Sequence, residues 1–387
     1  MPWHEVLPMD QRLEMMREYE LGLDSMAELA ERYSVTAKTG FKWLRRYRAE
    51  GVLGLIEQSR RPHGNARAFP VATQALLLEA RRAHPTWGAD KLLPWVAARQ
   101  PEVRLPTRAT VCDWLRREQL VPSRRRRSRP VATSGRALTP PGVANALWTI
   151  DFKGQFRVGD GTVCYPLTLR DAASRFVLRC DSCRAPETAV TRARCERAFR
   201  TYGLPDAIGS DNGSPFGSTA PRRLSRLAVW WIRLGIAIVR IRPGHPEDNG
   251  SHEQFHRVLK AETARPPAST LQAQQRRFTA FCREYNEERP HAAHGQRPPG
   301  ALYTPSGRAF PRRLAALDYP GHYEIRRVMS NGCVKWRGQV VYLTEVLADE
   351  QIAWDETDDD LWTIYFGPLV LGTFDGWTNC FVPAGGL

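Results

Sequence analysis

The sequence predicts a multidomain protein: an α-helical N-terminal region with helix-turn-helix units, an α/β core with a mixed sheet, and a small all-β C-terminal domain. Three observations carry this reading. The chain has 387 residues, more than one typical domain accommodates. Helical capping signals and helical apolar spacing occupy the first third. From Leu147 the pattern turns to short β-prone segments, then to alternating strands and helices, and after a Pro-rich joint at residues 297–311 to strands alone.

In the first region, Asp10 is positioned to cap a helix whose apolar face includes Leu13, Met16 and Leu21. Ser25 followed by Glu28 forms a capping box, so a second helix is expected from Met26 to about Tyr33. Ser34, Val35 and Thr36 make a tight turn into a third helix that runs to about Tyr47. Lys38, Lys42 and Arg45 share one face of it, with Arg46 beside them, while Trp43, Leu44 and Tyr47 face inward. The last helix of a helix-turn-helix enters the major groove, so this face is the expected DNA contact. Gly40 in that helix is a cost of about 1 kcal/mol. The rival reading is a small helical bundle with a solvated basic face.

Residues 70–120 repeat the design. Helices are expected near Thr73–Ala83 and Asp90–Ala98. Thr107 caps a third that turns Arg108, Arg116 and Arg117 outward and Val111, Trp114 and Leu115 inward. Two tandem modules would gain affinity through effective concentration. Next come four consecutive arginines, Arg124, Arg125, Arg126 and Arg127, in a stretch of linker composition. Mutual repulsion keeps such a stretch extended, either lying along phosphates or acting only as a spacer. The expected boundaries are 1–62 and 68–122 for the helical units, 123–143 for the basic linker, 144–305 for the core and 310–387 for a small β-barrel.

Composition narrows the function classes. Hydrophobic residues make up 42%, enough for packed cores. Lys and Arg number 56 against 41 Asp and Glu, a formal net charge of +15. A field of that sign favours polyanions, although basicity alone also fits other partners. The 8 cysteines include one CxxC pair, Cys180 and Cys183, without a second pair at zinc spacing, so reduced thiols are expected. The N-terminus does not read as a signal peptide, and no stretch approaches the ~20 apolar residues of a membrane span. A soluble, intracellular protein with no membrane partner is the expectation.

In the core, strands are expected at Trp148–Phe152, Val163–Leu169 and Phe176–Cys180, a helix near Glu187–Tyr202, and a strand ending at Ser210. A helix near Leu224–Leu234, a strand Ile236–Ile241, and helices from Gly250 and from Thr270 to Glu284 follow. The tail strands are Tyr323–Arg327, Cys333–Trp336, Val340–Leu343, Leu361–Phe366 and Leu369–Phe374. Three acids stand out by context. Asp151 ends the strand WTIDFKG, Asp211 ends a strand before NGSPF, and Glu253 starts a helix within PGHPEDNGSHEQFHRVLK. Strand ends at one sheet edge plus an adjoining helix bring such residues together. In phosphodiester chemistry, two divalent ions about 3.5–4 Å apart hold the attacking and leaving oxygens in line. Mg²⁺ takes hard oxygen ligands, and three crowded carboxylates need cations to stay ionised.

These motifs, with YNEERPHAAHGQRPPGALY from Tyr285, resemble in order and spacing the DDE transposases of bacterial insertion sequences, whose core is similar to retroviral integrases. The resemblance spans essentially the chain and is strongest over residues 148–303. It implies an RNase H-like core. It also implies two Mg²⁺ ions, or Mn²⁺, with Asp151 bridging both, Asp211 completing one site and Glu253 the other. Lys260 matches a basic position that contacts DNA near the scissile phosphate, and Asn212 and Gly213 shape the turn after the second acid. The implied reaction is cleavage of 3′ ends of a mobile element followed by transfer of those ends into target double-stranded DNA, by a homo-oligomer assembled on DNA.

The chain departs from the pattern in extra residues around Phe216–Arg223, and in His252 and Gln254, which flank the third acid where relatives often carry basic residues. Glu247 and Asp248 compete with Glu253 for the third place, and Asp171 reads as a turn residue. Two rival functions remain at this level: a DNA-binding regulator without catalysis, and a plain nuclease of the same fold.

Overall fold

The computed structural model describes residues 8–57, 69–121, 142–240 and 250–385. Arg124 to Arg127 with most of the 123–143 linker, and Glu247 and Asp248, lie outside these residues. The chain divides into two compact units, Met1–Ala68 and Phe69–Leu387.

The first unit holds α1 (Pro8–Glu20), α2 (Met26–Arg32) and α3 (Ala37–Glu50), followed by a 3₁₀ turn. The Ser25 side chain accepts from the Glu28 amide and the Glu28 carboxylate accepts from the Ser25 amide, completing the capping box; Thr36 caps α3. Met15, Met16, Met26, Leu29, Trp43, Leu44 and Leu55 fill the centre. Leu21 does not belong to this face: α1 stops at Glu20, and Leu21 lies off its stripe at 73% exposure. Gly40 is explained by helix packing. A Cβ there would stand 2.4 Å from Met26 Sδ and 3.0 Å from Met15 Cε, so the glycine lets α3 approach its neighbours closely.

The second unit begins with α4 (Val71–Ala83), α5 (Ala89–Arg99) and α6 (Arg108–Arg117), the last capped by Thr107. Leu77, Trp87, Leu92, Val96, Val111 and Leu115 form their shared centre. The core follows: β1 (Leu147–Phe152), β2 (Phe156–Arg157), β3 (Val163–Asp171), β4 (Val177–Cys183), α7 (Thr188–Tyr202), β5 (Ala207–Ser210), α8 (Arg226–Arg233), β6 (Ala237–Arg240), α9 (Gly250–Thr263) and α10 (Leu271–Glu287). β4 and β2 both pair with β3, and the order continues through β1 and β5 to β6. β1, β3 and β4 are antiparallel, whereas β5 and β6 run parallel to β1. This mixed order agrees with the RNase H-like core that the resemblance implies.

Strand alternation gives the sheet two faces. Trp148, Ile150, Leu167, Leu169 and Ile208 pack in one apolar centre with Cys195, Phe199 and Leu227 from α7 and α8. The partners Thr149↔Arg170 and Asp151↔Thr168 point the other way, toward α9. Phe255 and Leu259 of α9 pack with Phe278, Phe281 and Tyr285 of α10 in a second centre that includes Cys164 and Cys180. All eight cysteines are free thiols, Cys180 and Cys183 both buried. The α4–α6 bundle rests on this layer: His84 Nδ1 lies 2.9 Å from Glu284 Oε1 and Arg99 Nη2 lies 2.7 Å from Glu288 Oε2, while Thr86 bonds Glu262 and Lys91 bonds the Pro290 carbonyl.

The C-terminal strands are β7 (Glu324–Arg327), β8 (Cys333–Trp336), β9 (Gln339–Tyr342), β10 (Gln351–Asp358), β11 (Leu361–Phe366), β12 (Leu369–Asp375) and β13 (Cys380–Pro383). They form an antiparallel sheet in the order β13-β12-β11-β10-β7, with the β8–β9 hairpin touching both edge strands. Trp336 stacks on Trp354 at 4.2 Å in its centre. α8 is apolar all round because it is covered twice. Leu227, Trp230 and Trp231 face the mixed sheet, and Ala228, Val229 and Ile232 face the C-terminal domain. Among the described residues no helix is long and apolar enough to cross a membrane.

Candidate active site and nucleic-acid interfaces

The parallel register Ile150↔Ser210 makes Asp151 and Asp211 the next positions on adjacent chains, roughly one strand spacing, ~4.8 Å, apart along the backbone. Beyond Ser210 the chain turns. Gly213 N donates to Asp211 Oδ1 at 3.3 Å. Arg240, at the end of β6, fixes this turn from beneath: its guanidinium donates to Ser210 Oγ at 2.9 Å, the Asp211 carbonyl at 3.2 Å and the Phe216 carbonyl at 2.8 Å. Burial raises the Asp211 carboxyl above its usual range, opposed by the Gly213 amide and the Arg240 charge. A divalent ion would relieve that desolvation.

α9 lies across the same face. Its buried stripe is His252, Phe255, His256, Leu259 and Thr263, whereas Glu253 and Lys260 are exposed. Glu253 sits in the first turn, one turn ahead of His256 and about 60° round the helix from it. His252 and His256 both reach Thr168 Oγ1 through Nε2, each at 2.7 Å, and Thr168 donates to the Asp151 carbonyl at 3.1 Å. Thr149 Oγ1 lies 3.1 Å from His252 Nδ1. His256 Nδ1 faces Asp151 Oδ2 at 3.7 Å. Burial, then the neighbouring His256 and Arg170 charges, holds His252 well below the usual imidazole range. Burial, with Lys153 and Arg170, lowers His256 to about 3. Both rings are therefore neutral near pH 7.

One ligand atom each from Asp151, His252 and His256 lie within 4.8 Å of one another; among the described residues, Asp211 and Glu253 do not join that group. The structure thus brings Asp151 and Asp211 to neighbouring strand ends and puts Glu253 on the helix packed above them, short of a closed trio. Asp171, the last residue of β3, braces the turn that follows: its carboxylate accepts from the Asn145 amide and from both the amide and hydroxyl of Ser174. His252, the departure noted beside the third acid, is 2% exposed and anchors α9 to the sheet. The sequence did hold a signal for it. HEQFH has the His-x-x-x-His spacing that puts two imidazoles on one helix face. Thr149, Thr168 and Arg240 carried no local signal. Beside the site, Lys153 and Lys260 line a small cleft with Phe156, Leu259 and Phe278.

Of the expected DNA-contact residues, Lys38, Lys42 and Arg45 are exposed on α3. Lys42 and Arg46 both lie over the Trp43 ring, at 5.0 and 4.9 Å, and the half-buried Arg46 also bonds the Ile56 carbonyl at 3.4 Å. On α6, Arg108 pairs with Asp90 at 2.6 Å and Arg116 with Asp113 at 3.4 Å, with Arg117 on the same Asp113. Such exposed pairs are weak and leave these arginines able to exchange partners.

Residues 143–246 and 234–299 match two family models, each described as an integrase core domain. Together the two matches span residues 143 to 299, the mixed sheet with α7 to α10. Ahead of it, residues 11–63 match a helix-turn-helix domain and residues 39–115 a homeodomain-like domain. Two insertion-element proteins are similar to the chain. One, from IS407 of Burkholderia multivorans, is 29% identical over 171 residues, 44% of this chain and 59% of the relative. The other, from IS476 of Xanthomonas euvesicatoria, is 27% identical over 257 residues, 65% of this chain and 71% of the relative. The match therefore spans less than two thirds of the IS407 protein. Among solved structures, a chain of the simian T-cell lymphotropic virus intasome aligns at a TM-score of 0.38 and 16% identity, covering 68% of this chain and 90% of that one. The HTLV-2 integrase catalytic core in complex with magnesium aligns at 0.33 and 15%, covering 43% and 99%. Scores this low carry no weight for the site.

Proposed function

We propose that this chain is a DDE-type DNA transposase, cutting the 3′ ends of a mobile element and joining them to target DNA. The observation that carries the reading is the placement, within an integrase core, of Asp151 and Asp211 at neighbouring strand ends under the helix that bears Glu253. The working parts are the helical units at 1–62 and 68–122, the linker at 123–143, the core at 144–305 and the β-domain at 310–387.

The donor set fits a divalent cation: the half-buried Asp211 carboxyl whose ionised form lacks solvation, Asp151 on the adjacent strand, and the imidazoles of His252 and His256 grouped with Asp151. Asp151, Asp211 and Glu253 would hold two Mg²⁺, or Mn²⁺, with Asp151 shared. Bound there, the ions would stabilise charge on the attacking and leaving oxygens. Glu253 would complete the set when DNA seats α9. Lys260 would face a backbone phosphate beside the scissile one. In the first step water attacks the phosphorus at the element end: a P–O bond to the water oxygen forms as the bond to the element's 3′ oxygen breaks, so the 3′-hydroxyl leaves on the element and the 5′-phosphate stays on the flanking strand. In the second step the freed 3′-hydroxyl attacks a target phosphodiester, one P–O bond forming as another breaks, so no covalent protein intermediate is needed. Lys38, Lys42, Arg45, Arg108, Arg116 and the 124–127 arginines would bind element ends and target, in a homo-oligomer on DNA.

Asp151→Asn tests this with a labelled element end, target plasmid and Mg²⁺. Nicking and joining fall below detection while gel-shift affinity stays within about threefold. Cleavage at the wild-type rate would overturn the assignment. Wild-type nicking without joining would favour a nuclease, and binding without nicking a regulator.

A further inference from the structure

We propose that His256 is a direct metal ligand through Nδ1, sharing an ion with Asp151 and tuning the site toward Mn²⁺ and similar transition ions over Mg²⁺. The inference rests on the transposase reading of Asp151 and deepens it.

The argument follows the protons. The Thr168 hydroxyl has one hydrogen and three partners: the Asp151 carbonyl at 3.1 Å, His252 Nε2 at 2.7 Å and His256 Nε2 at 2.7 Å. A carbonyl only accepts, so Thr168 donates there, and both imidazoles donate from Nε2 to the hydroxyl lone pairs. With Nε2 committed as the donor, Nδ1 is the ring nitrogen left for another partner. For His252 that nitrogen meets the Thr149 hydroxyl at 3.1 Å. For His256 it faces Asp151 Oδ2 at 3.7 Å, in a site where His256 is 3% exposed. At that distance the two atoms stand too far apart for a direct hydrogen bond and leave room for an ion held by both. The spacing suits it: ligands bonded to one ion at ~2.0–2.2 Å can stand 3.7 Å apart. The ring is also oriented as metal-bound imidazoles are, its other nitrogen donating to a fixed oxygen. α9 therefore carries two kinds of donor, Glu253 on its exposed side and His256 on its buried side. An imidazole among carboxylates favours transition ions, because Mg²⁺ prefers oxygen.

The test uses the full-length protein. Calorimetric titration with Mn²⁺ and with Mg²⁺ is run on wild type, His256→Ala, His256→Gln and Asp151→Asn. Pulsed electron paramagnetic resonance of the Mn²⁺ complex reads nitrogen coupling, and thermal melts check folding. The proposal expects ¹⁴N coupling in the wild type that both His256 variants lose, with Mn²⁺ weakened about tenfold or more and Mg²⁺ less than threefold. Absence of nitrogen coupling in the wild-type Mn²⁺ complex overturns it, as does an equal loss of both ions in folded His256 variants, which would mark a positioning role. Mn²⁺ bound to Asp151→Asn as tightly as to wild type would instead overturn the underlying assignment of Asp151.

Discussion

Thr168→Val removes one hydroxyl and almost no volume, and the structure assigns a large effect to it. Thr168 is 0% exposed, and its hydroxyl serves two buried imidazoles at 2.7 Å and the Asp151 carbonyl at 3.1 Å. Valine leaves both Nε2–H donors with no acceptor in a site sealed by α9. Each unsatisfied buried polar group costs about 1–3 kcal/mol, so two give roughly 2–6 kcal/mol. In a unit of this size each kcal/mol shifts the melting temperature by about 2 °C, so the midpoint falls by roughly 4–12 °C. Scanning calorimetry of the full chain reads this, with Thr168→Ser as the control that keeps the hydroxyl. Because α9 carries Glu253, DNA nicking by the valine variant also falls at temperatures where it is folded. A valine variant within about 0.5 kcal/mol of wild type would refute the reasoning, since the histidines would then not depend on that oxygen.

Two further outcomes follow from the site and from the N-terminal helices. The Asp211 carboxyl is raised by burial, so the native state binds its proton more tightly than the unfolded chain does; the stability linked to it is present at low pH and lost as pH rises through the raised value. Asp211→Asn therefore melts higher than wild type at pH 7 without divalent ions, the gap closes in acid, and Mg²⁺ raises only the wild type; a lower melting point for the variant at pH 7 would contradict this. Lys42→Ala and Lys38→Ala each reduce the slope of log affinity against log salt by about 0.9 in gel shifts with element-end DNA, if each lysine neutralises one phosphate; unchanged slopes would take α3 off the DNA.

The architecture was legible where local chemistry sets it. Ser25 with Glu28, Thr36 and Thr107 announce helix starts by satisfying the first amides. WTID and IGSD announce strand ends by an apolar run that stops at an acid. β10 escaped notice because QIAWDETD ends in acids; only Ile352, Ala353 and Trp354 of it are buried, and the rest is an exposed ribbon. β13 is short and largely exposed. In the site, the three acids could be picked out because each sits at an element boundary. The layer beneath them could not, because Thr168 and His256 are 88 positions apart and Arg240 reaches Ser210 across 30. Only register and helix docking, which are tertiary, make them neighbours. His252 was read from its place in the chain, whereas its role follows from which side of α9 meets the sheet.

The central claim is that Asp151, Asp211 and Glu253 converge on metal when DNA is bound. Anomalous diffraction from Mn²⁺ in crystals of the protein with an element-end duplex tests it most directly. Two peaks about 3.5–4 Å apart are expected, both touching Asp151, one also Asp211 and the other Glu253. A DNA-bound complex with no peak at Asp151, or with Glu253 turned away from both ions, would contradict it.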